Sequence, residues 1–115
     1  MLRVQVRIVL VAMLFLLSSE RLSAQQIQVR GVQSCGEWVK VRKANEASFE
    51  RAWLIGLLSG IAIGTSKNFW ENSGANYLDN ESVYLWMDKY CNANPLKNMG
   101  DGAVVLFAER VKGLR

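Results

Sequence analysis

The pattern of apolar and polar positions is dominated by Trp53–Gly64, Trp-Leu-Ile-Gly-Leu-Leu-Ser-Gly-Ile-Ala-Ile-Gly, which contains no charged residue. It lies in a helix expected from about Asn45 to Gly64, with Glu46 and Glu50 placed to favour the positive end of the helix dipole. Phe49, Trp53, Gly56, Leu57, Gly60, Ile61 and Gly64 recur at the spacing of one helical face. Leu54, Ile55, Leu58 and Ile63 widen that face until the helix is apolar most of the way round, so it needs cover on several sides. Gly56, Gly60 and Gly64 fall four apart and are expected to form a bare stripe against which another helix packs closely. A membrane span needs roughly 18 apolar residues or more, so this shorter run reads as a core helix.

Three further helices follow from the same reasoning. One starts at Ser34-Cys35-Gly36-Glu37, the spacing of a capping box, and carries Trp38 and Val41 on its apolar side. Another starts at Asp79-Asn80, side chains suited to an N-cap, and Val83, Trp86, Met87, Tyr90 and Cys91 form its inward stripe, with Asp88 and Lys89 facing out. The last is expected to open at Asn94-Pro95, with proline at the first helical position. It runs to about Lys112, with Met99, Ala103, Leu106, Phe107 and Val111 inward. Gly100 and Gly102 weaken its start by up to about 1 kcal/mol each relative to alanine. Gln25–Gln33 reads as a loose lead-in, and Thr65–Tyr77 as a long loop. The expected fold is all-α: a small four-helix domain with no convincing strand.

The N-terminus changes the picture of compartment. Met1–Arg7 carries two positive charges, Ile8–Leu17 is apolar, and Ser18–Ala24 is small and polar. This three-part layout is that of a secretory signal peptide over residues 1–24, with cleavage between Ala24 and Gln25, leaving one domain over 25–115. Cleavage would remove Arg3, Arg7, Arg21 and Glu20, leaving eleven of the 14 basic and nine of the 10 acidic residues. The mature charge is then only +2, and nucleic-acid binding loses its main support. No membrane span is expected after cleavage.

Two cysteines are present, Cys35 and Cys91, both in the mature part. An even pair in an exported chain reads as a disulfide, here tying the first helix of the domain to the end of the third. With no histidine anywhere, a metal site lacks ligands and a thiol or serine nucleophile lacks its usual base. Gly56, Gly60 and Gly64 are not closed by Lys-Ser or Lys-Thr, so they form no phosphate loop. A non-enzymatic protein without cofactor or metal is therefore expected. The aromatic residues are more numerous than so small a core readily hides. Phe69-Trp70 has two readings, a lid on the core or an exposed patch for a partner. Tyr84, off the inward stripe of its helix, is expected at an interface.

Ser34-Cys35-Gly36-Glu37-Trp38, Asp88-Lys89-Tyr90-Cys91, Asn94-Pro95 and the amphipathic basic tail resemble the HdeA/HdeB-like family of small helical periplasmic proteins held by one disulfide. That resemblance implies an acid-stress chaperone: a folded dimer at neutral pH that dissociates and partly unfolds in acid, exposing apolar surface to client proteins. Trp53, Gly56, Gly60 and Asn94-Pro95 are also similar to the Rap1a/Tai immunity proteins, which commonly have more cysteines. The expectation is thus a periplasmic domain that binds other proteins, unfolded clients or one specific partner, with a second copy of the chain among the candidates. Neutralisation of a secreted cell-wall enzyme and a structural place in an envelope assembly are the alternatives.

Overall fold

The structure is a computed structural model and describes residues 2–17, 28–70 and 77–113. Those residues form five helices: α1 (Leu2–Leu17), α2 (Cys35–Lys43), α3 (Ser48–Thr65), α4 (Asn80–Ala93) and α5 (Met99–Gly113). Among the described residues there is no strand, and one isolated antiparallel bridge joins Ser34 to Asn98. The all-helical expectation holds; the five helices are the four after residue 25, α2–α5, and α1, formed by the apolar N-terminal run, which the four-helix expectation did not include. The expected cleavage point after Ala24 lies outside the described residues. No described helix is long and apolar enough to cross a membrane.

The core forms where α2 packs on α4, α3 on α5, and α4 on α5. Cys35, the first residue of α2, is bonded to Cys91 in the last turn of α4. Both cysteines are buried, together with Trp38, Leu54, Leu58, Phe69, Val83, Met87 and Met99. Closing a loop across a separation of 56 residues stabilises by roughly 4 kcal/mol if the effect is chain entropy. A disulfide of this kind fits an oxidising compartment.

Local chemistry explains each boundary. Ser34 Oγ accepts from the Glu37 amide at 3.1 Å and caps α2, while the Glu37 carboxylate turns to Lys40 rather than back to the cap. At the other end of α2, Asn45 takes a left-handed φ of 56°. The Glu46 amide reaches back to the Val41 carbonyl and that of Asn45 to Arg42, a Schellman stop with asparagine in the glycine position. Asn45 therefore ends α2 instead of opening α3. Ser66, φ 54°, stops α3 in the same way, the Lys67 amide bonding to the Ala62 carbonyl.

Asp79 caps α4 as expected, accepting from the Ser82 amide at 2.7 Å. Asn94-Pro95 does not open α5. Asn94 is the C-cap of α4, and α5 begins five residues later at Met99. The Asp101 amide donates to Asn98 Oδ1 at 2.9 Å and the Asn98 amide to Asp101 Oδ2 at 3.3 Å. That reciprocal pair is an asparagine version of the capping box, and it outcompetes the proline signal.

The glycines trade roles relative to the sequence-based expectation. On α3 the buried stripe is Glu50, Leu54 and Leu58, and Gly56, Gly60 and Gly64 point outward. A β-carbon on any of the three would meet nothing within 4 Å. The spacing is helical as expected, but the leucines rather than the glycines decide which side is buried, because they have more apolar area to remove from water. Close approach occurs instead at Gly102. A β-carbon there would lie 2.8 Å from Met87 Sδ and 2.8 Å from Tyr90 Cδ1, so α5 crosses α4 over bare backbone.

Two opposite outcomes follow in denaturant unfolding of the oxidised protein. Gly102→Ala is expected to lose about 1–3 kcal/mol by overpacking. Gly56→Ala and Gly60→Ala are each expected to gain up to about 1 kcal/mol from helix propensity.

Candidate protein-interaction surface

The aromatic residues weighed for an interface, Phe69, Trp70 and Tyr84, are mostly interior. Phe69 is fully buried and stacks on Phe107, with centroids 5.2 Å apart and planes at 10°. Trp70 meets Phe69 edge-on at 4.8 Å. The turn carrying them is fastened to α5, because Arg110 Nε donates to the Phe69 carbonyl and its guanidinium lies 5.7 Å over the Phe69 ring. The lid reading thus fits Phe69. Trp70 is half-buried; its indole Nε1 is buried without a hydrogen-bond partner among the described residues. It borders an open groove of about 610 Å³, shared with Ile55, Ser59, Tyr77 and Leu78. Residues 71–76 of this loop lie outside the described residues.

Tyr84 is also buried, contrary to its expected place at an interface. It is drawn inward by a seam of charge and aromatic rings between α2 and α4. Asp88, expected to face solvent, accepts from Trp38 Nε1 at 2.8 Å, Arg42 Nε at 2.9 Å and Arg42 Nη2 at 2.8 Å. The Arg42 guanidinium lies 5.6 Å from the Trp38 ring and 5.9 Å from the Tyr84 ring, and Arg51 of α3 lies 5.7 Å from the same tyrosine. The hydrogen bond to Asp88 raises the Arg42 pKa above its ordinary value, so Arg42 stays cationic at any working pH. A bidentate guanidinium–carboxylate pair fixes geometry as well as supplying energy. Here it sets the rotation of α2 against α4. Periodicity gave no sign of it, since the partners stand 46 residues apart.

Large apolar side chains stand exposed on α1, at Leu85, at Leu96 and at Val104, and also on α3. Phe49 is 58% exposed and Ile63 is 81% exposed. Ala52, Gly56, Gly60 and Gly64 continue the outward side, and Trp53 lies half-buried beside it. No charged residue occurs between Ala52 and Ser66. Exposed apolar side chains on a helix side without charge are candidates for contact with another macromolecule. Residues there can supply area and close backbone approach, not bond-making chemistry.

No family model, curated protein or solved structure matches this chain.

The α2–α4 seam gives a quantitative expectation. Asp88→Asn keeps the shape but removes the charge, and about 1–3 kcal/mol of stability should be lost. A double-mutant cycle with Arg42→Met should show non-additive losses; simple additivity is inconsistent with the pair as described.

Proposed function

We propose that the chain is an exported, non-enzymatic periplasmic domain that binds other proteins, and that it acts in the manner of HdeA-type acid-stress chaperones. The observation that carries this reading is the outward face of α3, where Ile63 stands exposed on a stretch free of charge and Phe49 stands exposed one turn before that stretch begins. A chaperone holds clients through apolar area rather than through specific polar contacts. Opening the helices in acid adds the area of Leu54, Leu58 and Phe69, which are buried in the closed fold.

Electrostatics supplies the trigger. Without residues 1–24 the net charge is +2, and protonating the nine remaining carboxylates takes it to +11. Self-repulsion then opposes the compact state. Asp79 adds a local contribution. The Ser82 backbone amide, donating to its carboxylate, lowers the Asp79 pKa below its ordinary value of 3.8. A depressed folded-state pKa gives stability that is fully present above the unfolded value and is lost as pH falls through the folded value. The cap on α4 therefore weakens below about pH 4. The Cys35–Cys91 bond stays closed in acid and limits how far the chain opens.

The test follows tryptophan fluorescence and hydrophobic-dye binding of the oxidised domain from pH 7 to pH 2, beside an aggregation-prone client. Reversible opening together with client protection is the expected result. A domain that stays compact, or opens without protecting the client, removes the chaperone reading. Tight binding of a single partner by that compact form indicates a dedicated inhibitor or structural subunit. Asp79→Asn preserves an acceptor at the cap without titrating there, so its stability should fall less steeply than that of the parent below about pH 4.

A further inference from the structure

The chain does not enter α2 as a loose lead. On the α5 side, the Met99 amide donates to the Gln33 carbonyl at 3.0 Å and the Cys35 amide donates to the Lys97 carbonyl at 3.0 Å. This end sits beside the buried disulfide. On the α3 side the attachment is different. Trp53 Nε1 donates to the Arg30 carbonyl at 3.0 Å. Gly31 follows with φ +79°, and a β-carbon on it would lie 2.9 Å from Trp53 Nε1 and 3.1 Å from Cδ1. The indole thus lies directly against glycine backbone.

The two attachments are unequal. Releasing Gln33 and Cys35 would unpair backbone groups next to a fully buried cysteine, which is costly. Releasing Arg30 returns an exposed carbonyl and an indole N–H to water, where both find new partners. Glycine at positive φ adopts other backbone conformations readily, which suits a pivot.

The geometry points to residues 30–33 as a strap, fixed at Gln33 and pivoting at Gly31, that lifts off Trp53 while the helices stay packed. Lifting it bares the Trp53 indole next to Phe49 and Gly56, and so lengthens the exposed apolar side of α3 at its N-terminal end. The strap is a conformational control on that face and stands whether or not the face holds clients.

Limited trypsin digestion of the full, oxidised chain at neutral pH tests it. Cleavage at Arg30–Gly31 reports the strap, and cleavage at Lys97–Asn98, whose carbonyl Cys35 holds, reports the fixed end. Proteolysis tracks the population of the open form when reclosing is fast. Trp53→Phe keeps an aromatic ring and removes the donor; Gly31→Ala forces the backbone away from the ring. Each should raise the Arg30 cleavage rate by about fivefold, the population change expected for one ordinary hydrogen bond, with the Lys97 rate unchanged. The proposal is overturned if Arg30 and Lys97 cleavage rise together in both variants, or if the Arg30 rate does not change in either. No client enters the assay, so failure here is separate from failure of the chaperone test.

Discussion

The helical body depends on one junction, where the Cys35–Cys91 bond and the backbone pairing of Gln33 and Cys35 with Lys97 and Met99 meet. The starts of α2 and α5 and the end of α4 are gathered at that point. Three helices are thereby held in place by covalent and backbone interactions that do not rely on side-chain fit. α3 lies within the loop the disulfide closes and is held by packing instead, through Leu54 and Leu58 on its inward side. The chain thus divides into a pinned part and a packed part. Helix displacement that spares the disulfide is least constrained in the second.

Away from the junction, α2 and α4 are aligned by Asp88, Arg42 and Trp38. A half-buried carboxylate satisfied by three donors loses little on leaving water and leaves little freedom for the helices to rotate. The disulfide sets the distance between the helices at one end, and the ion pair sets their register a turn away. Tyr84 is trapped between two arginines as a result.

Much of the architecture was legible because it rests on local signals. The caps at Ser34 and Asp79, the Val83–Met87–Cys91 stripe and the inward Met99, Ala103 and Phe107 need only nearby residues and helical spacing. The misreadings came where two signals competed or where the decisive partner was remote. Asn45 suits a helix start as well as a left-handed stop, and the Glu46–Val41 bond selects the stop. Pro95 suits a first helical turn, and the Asn98–Asp101 pair starts α5 later. Asp88 lies on the polar side of its helix by sequence, and only the position of α2 draws it inward. Tyr84, expected at an interface, packs inside, and Phe69, with two readings open, takes that of a lid on the core. One exposed apolar side lies on α3, the helix expected to need cover on several sides.

Gly102 and the glycines of α3 have different consequences for how this sequence can drift. At 102 a side chain would press on Met87 and Tyr90 of α4, so descendants that keep this packing favour glycine there. At 56, 60 and 64 the fold imposes no such demand, and chance substitution to alanine is favoured by helix propensity. Glycine persisting at those three positions across diverged descendants is then a record of selection exercised by something other than the chain's own packing.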